Sequence, residues 1–236
     1  MRARRKGPHQ HPYDHPAGTR PPLPAPGAPT PMTTEAQAVP APPAPTRRTA
    51  LARRITDGLE PKNVILVLLP LLGGLRYGWS GIGWALFAAL FAAVVPTLII
   101  GHGMRKGTVA DRHVGRRQRR LTLFPLIMGS VLLSFAVMIG LDAPADLTAL
   151  VLAMFASLVP ILVITVWWKV SVHTAVATGA VVCLAIALGP LWLLLGALVP
   201  LIGWSRVALR DHTAAQTAVG AAVGALAAGL TFWAAR

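Results

Sequence analysis

From residue 61 onward the chain alternates long apolar runs with short polar breaks, and most runs have the length of one bilayer crossing. About 20 helical residues cover the ~30 Å of hydrocarbon in a membrane. Runs over 80–101, 121–141, 147–168, 170–188, 191–210 and 213–235 predict six such helices. A shorter run over 63–77, interrupted by Gly73 and Gly74, predicts either a seventh crossing or a re-entrant or interfacial segment. The breaks are a basic segment at 102–120, the turn Asp142 to Asp146, and Gly189-Pro190. The expected fold class is therefore all-α, a polytopic transmembrane helix bundle of six or seven helices over 61–236. Tryptophans support the partition, because amphipathic indoles favour the headgroup level. Trp167, Trp168 and Trp204 fall at helix ends on one side; Trp79, Trp84, Trp192 and Trp233 fall at or near ends on the other. In the last run, Gly220 and Gly224 have the spacing that lets a second helix approach closely.

Residues 1–60 are a different material. They hold 13 of the 21 prolines and nine of the 22 Lys and Arg residues, with almost no aliphatic clusters. Such a stretch buries too little apolar surface to offset its ordering entropy and reads as a disordered tail. It has no apolar core of a secretory signal peptide, and Met32 followed by Thr33-Thr34-Glu35 reads as an alternative start. His9, His11 and His15 read as solvated tail residues.

Composition narrows the function classes. With 54% hydrophobic and 13% charged residues, the chain departs from the quarter-charged composition of soluble domains. The formal net charge of +14 invites a polyanionic partner, but the apolar runs make membrane lipids, not nucleic acid, the expected surroundings. A single cysteine, Cys183, inside an apolar run leaves no disulfide framework and no cysteine-ligated zinc.

Ionisable groups are costly at membrane depth, so those present need an account. Counting crossings from the basic segment, two helices return the chain to the same side at Lys169, Ser171 and His173. Two more return it there at Ser205, Arg206, Arg210, Asp211 and His212. Three polar clusters far apart in sequence thus share one membrane face, called side A here. Their residue types suit a phosphate ester. Arg and Lys neutralise the anion, Ser171 and Ser205 offer hydroxyls, and two histidines supply nucleophile and general acid without a metal. Gln216 stands four residues after His212, and on a continuous helix it would share its face and orient the ring.

At these positions the chain resembles the type 2 phosphatidic acid phosphatase superfamily, the integral-membrane lipid phosphate phosphatases. Ser205-Arg206-x5-His212-x3-Gln216 is similar to that family's signature S-R-x5-H-x3-D, with Gln in place of Asp. Lys169-Val170-Ser171-Val172-His173 is similar to P-S-G-H in its Ser and His. Arg112-x6-Arg119, with Arg120 where the family has Pro, is similar to K-x6-R-P; His113-x6-Arg120 is the alternative register. The resemblance covers roughly residues 80–236. It implies metal-independent hydrolysis of a lipid phosphate through a phosphohistidine, with no cofactor. His212 would be the nucleophile and His173 the acid that protonates the leaving oxygen. Arg112, Arg119, Arg120, Lys169, Ser171, Ser205 and Arg206 would hold the phosphoryl group, and Gln216 would orient His212.

Two other readings stand beside this one: an anion- or lipid-binding transporter, and a catalytically silent scaffold. The basic segment also reads as a positive-inside loop or an anionic-lipid patch, Lys169 as a snorkelling anchor, and His102 and His113 as interfacial residues. The excess of Lys and Arg on side A places that face in the cytoplasm of a multi-pass plasma-membrane protein. The sequence assigns no oligomeric state and does not choose between prenyl and glycerolipid phosphates.

Overall fold

A computed structural model describes residues 46–105 and 116–236, with side chains described for 46–102 and 123–236. The described chain is all-helical, with no strand. Five stretches are long and apolar enough to cross a membrane by length and composition: Pro61–His102, Leu123–Gly140, Ala145–Trp167, Pro190–Ala208 and Ala214–Ala235. A shorter apolar helix, Val172–Leu188, lies among them.

The first stretch doubles back on itself. Helix α2 (Pro61–Ala89) contains Gly78 at φ 61°, ψ −141°, a left-handed conformation open to glycine and costly for other residues. In a straight helix Gly73 and Gly81 would stand about 12 Å apart. Instead a Cβ added to either would overlap the backbone carbonyl oxygen of the other. The two arms therefore form a hairpin whose backbones touch through glycine. The short run 63–77 is consequently one arm of a helical hairpin. The return arm passes through a π-helical segment, Leu90–Val94, into α3 (Val95–Arg105), whose second residue is Pro96. Gly81→Ala is expected to cost about 1–3 kcal/mol of stability, because the added methyl meets backbone that cannot move aside. Thermal unfolding in detergent reads this out.

After the second described segment begins, α4 (Arg116–Gly140) and α5 (Ala145–Trp167) pack side by side. They are joined by a turn in which Asp142 has φ 51°. Then come α6 (Val172–Leu188), a 3₁₀ stretch Pro190–Ala197 leading into α7 (Leu198–Ala208), and α8 (Ala214–Val223). A π-helical segment, Gly224–Ala228, continues α8 into α9 (Gly229–Ala235). The end of the bundle opposite the candidate site, side B, is tied by Asp146. Its carboxylate, 5% exposed, accepts from Arg76 at 2.7 Å and lies 3.8 Å from Arg236, while its main-chain N–H donates to the Tyr77 hydroxyl. One buried acid thus joins the hairpin tip, the α4–α5 turn and the chain end. The core is built from small residues that let helices approach, such as Ala85, Ala88, Ala153 and Ala177. Leu69, Leu72, Leu147, Leu150 and Phe232 fill the spaces between.

The tail assigned to 1–60 is corrected at its C-terminal end. Helix α1 (Arg47–Gly58) is capped by Thr46, whose hydroxyl accepts from the Thr49 N–H, and it packs along α7. Ala52 and Thr56 are buried while Arg47, Arg48, Arg53 and Arg54 are exposed. The composition of the whole stretch hid a short amphipathic repeat, Ala52, Ile55, Thr56 and Leu59, that has a helix partner to cover it.

Candidate functional site

Two of the three polar clusters meet at the side-A end of α6, α7 and α8. The α6 cluster is held to the α7–α8 turn by its backbone: the Ser171 N–H donates to the Gln216 carbonyl at 3.2 Å. The Lys169 ammonium donates to the Asp211 carbonyl. Deeper, the Thr174 hydroxyl donates to the Thr217 carbonyl at 2.9 Å. Close approach is possible because a Cβ at Gly220 would overlap the Ser171 carbonyl oxygen and one at Gly224 the Ala175 carbonyl oxygen. The GxxxG spacing therefore serves to lay the α8 backbone against the start of α6.

Helix α7 ends at Ala208 with Leu209 as its C-cap, and Arg210 takes a left-handed conformation, φ 57°. That turn sends the chain back over its own end. The N–H groups of Asp211 and His212 both donate to the Arg206 carbonyl, at 3.0 and 3.3 Å. The Asp211 carboxylate then reaches the Arg206 guanidinium, 3.1 Å from Nη2. Arg206 is largely covered, with 13% of its side chain exposed, and its Nε is buried without a hydrogen-bond partner. His212 is buried. His173 stands in the first turn of α6, and its Nε2 is also buried without a partner. Buried polar atoms are nearly always paired in folded proteins. Two such nitrogens, one from each motif, therefore lie at this end of the bundle. Among the described residues no group of three His, Cys, Asp or Glu could hold a metal ion.

Several expected roles need correction. His212 lies in the turn, outside the helix, so it does not share a helix face with Gln216. Instead Gln216 and Thr213 form a reciprocal capping box at the start of α8. The Thr213 N–H donates to Gln216 Oε1 at 3.1 Å, and the Gln216 N–H donates to Thr213 Oγ1 at 3.3 Å. Its carboxamide oxygen secures the helix start. Asp211 supplies the carboxylate that holds Arg206. Ser205 is fully buried beneath α1, its hydroxyl donating to the Ile202 carbonyl at 2.8 Å and lying 2.9 Å from the Thr56 hydroxyl. It braces the end of α7 and presents no hydroxyl to a phosphate. Ser171 is likewise fully buried and caps α6, its Oγ accepting from the Thr174 N–H at 3.5 Å. Arg112 lies outside the described residues. Arg119 and Arg120 belong to the first turns of α4, and their side chains lie outside the described set.

Next to the site residues, Thr56, Thr174 and Thr217 are buried hydroxyls that the sequence did not single out. Only Thr56 had a local signal, its place on the apolar face of α1. Thr56→Val is expected to lower stability by about 1–3 kcal/mol, since it removes a partner of the buried Ser205 hydroxyl while keeping the side-chain shape. Chemical unfolding of the variant in mild detergent measures it, with Thr56→Ser restoring most of the loss.

No family model matches the chain, and no curated protein or solved structure matches it either.

Proposed function

We propose that the protein is an integral-membrane lipid phosphatase that hydrolyses a phosphomonoester or diphosphate of a lipid at the bilayer surface. One observation carries this reading. His173, from the motif similar to P-S-G-H, and Arg206, from the motif similar to S-R-x5-H, converge at one end of the bundle. Each has a buried nitrogen that lacks a partner. A phosphoryl group supplies acceptors for both, and Arg206 gives charge-assisted hydrogen bonds as negative charge develops on its oxygens.

The chemistry runs in two displacements. A ring nitrogen of His212 attacks phosphorus, and the phosphorus–oxygen bond to the lipid breaks as His173 delivers a proton to the leaving oxygen. Water then attacks the phosphohistidine. The phosphorus–nitrogen bond breaks, phosphate leaves, and the water proton returns to His173. Lys169, held against the Asp211 carbonyl, adds positive potential to the turn. The test is phosphate release from a panel of prenyl and glycerolipid phosphates by the purified protein in detergent with EDTA. Release is expected with at least one lipid. Release that requires added Mg²⁺ would refute the mechanism.

A second reading is a relative that binds a phosphorylated lipid without turning it over. It is favoured by Gln216, which stands where the resembled signature has Asp and is engaged in capping α8. This reading predicts no release from any lipid, with binding of a lipid phosphonate that is lost in Arg206→Gln.

Side A is the cytoplasmic face on this proposal, because it carries the basic segment 102–120 together with Arg206 and Arg210, while side B carries Arg76 and Arg236. A reporter that is active only outside the cytoplasm, fused after Arg236, is expected to be active. An inactive reporter, with a cytoplasmic one active in its place, would invert the assignment.

A further inference from the structure

A cavity of about 590 Å³ runs into the bundle between α2, α3, α4, α5 and α6. Its mouth is framed by Glu60, Lys62 and His173, and its far end by Cys183 and Ala228. From His173 to Cys183 along α6 is about 15 Å, half of the ~30 Å hydrocarbon core. The cavity therefore has the depth of one leaflet. Its wall is apolar in effect. Thr97 and Ser157 line it, but their hydroxyls donate to the Ala93 and Ala153 carbonyls of their own helices at 2.7 and 2.8 Å. The one orphaned buried nitrogen on the wall, His173 Nε2, is at the mouth.

We propose that this cavity takes an aliphatic chain of the substrate, with its phosphate at the His173 end and its tail ending against Cys183 and Ala228. The proposal rests on the phosphate-ester reading of the adjoining site and adds the length of chain it accommodates. An extended chain advances about 1.2 Å per bond, so 15 Å corresponds to about 12 bonds. A chain of about 12 carbons, or a longer one shortened by bends, matches that depth, whereas the extended 18-carbon chains of a dioleoyl lipid reach about 22 Å and overrun it. Ala180 stands on the wall just above Cys183. A larger side chain there would close the deep end, so this position sets the chain length.

Non-hydrolysable alkyl phosphonates carrying a diazirine at the chain tip test this with the full chain in detergent, and need no turnover. A twelve-carbon probe is expected to label residues around Cys183 and Ala228 by peptide mapping. Dodecyl or farnesyl phosphonate should displace it, and whichever competes better identifies a straight or a branched chain as the natural tail. Dioleoyl phosphatidate should compete about 10-fold or more weakly. In Ala180→Phe, the deep label is expected to disappear while a four-carbon probe, whose tip reaches about 5 Å, still labels near His173 and Val176, which shows that the variant is folded. Labelling scattered over lipid-facing residues such as Leu191 and Trp233, or equal competition by dioleoyl phosphatidate, would overturn the proposal. Deep labelling without phosphate release from any lipid would uphold the chain site and refute the phosphatase. Phosphate release with scattered labelling would do the reverse.

Discussion

His212→Ala is expected to remove phosphate release from lipid phosphates, with a fall of about 10⁴-fold or more in kcat. Loss of a nucleophile that acts as part of a unit removes nearly all the catalysis the unit provides. The variant should fold. His212 lies in the turn between α7 and α8, and alanine keeps the main-chain N–H that donates there to the Arg206 carbonyl. Binding of a lipid phosphonate is expected to persist, since Arg206 and the cavity are untouched. A kcat within about 10-fold of the parent would remove His212 from the reaction.

The second large effect is expected at His173. His173→Gln should lower kcat by about 10²–10⁴-fold, the range of a lost general acid, with KM changed much less. The effect should depend on the leaving group. A phosphate ester of a phenol with a low pKa leaves without protonation, so its hydrolysis should survive in His173→Gln, whereas an aliphatic lipid phosphate should not. Equal losses with both substrates would assign His173 to binding or structure.

Much of this architecture was legible because burial in a bilayer writes long, uniform runs into a sequence. The six longer runs correspond to helices, and counting crossings correctly brought Lys169–His173 and Ser205–His212 to one end. Two features were hidden for separate reasons. The hairpin depends on Gly78 adopting a left-handed conformation and on Gly73 meeting Gly81, contacts that an apolar run does not reveal. Helix α1 was hidden because its neighbours are rich in proline and arginine, while its stability comes from a partner, α7, far along the chain.

The site was legible in its residues but not in its turn geometry. A spacing of four between His212 and Gln216 suggests a shared helix face. Yet Thr213 followed three residues later by Gln216 is also a capping box, which starts the helix after His212. The second pattern prevails because the first N–H groups of a helix have no partner within it, and this box supplies them. Ser205 likewise carries the motif's identity while its hydroxyl faces Thr56, a contact made only once α1 docks.

The most direct test of the account is to trap the covalent intermediate. The protein is mixed with a lipid phosphate in detergent and EDTA, quenched in alkali during turnover, and mapped by mass spectrometry. A phosphoryl group on His212, stable to base and lost in acid, is the expected result. Turnover without that adduct, or with the phosphoryl group on another residue, would contradict it.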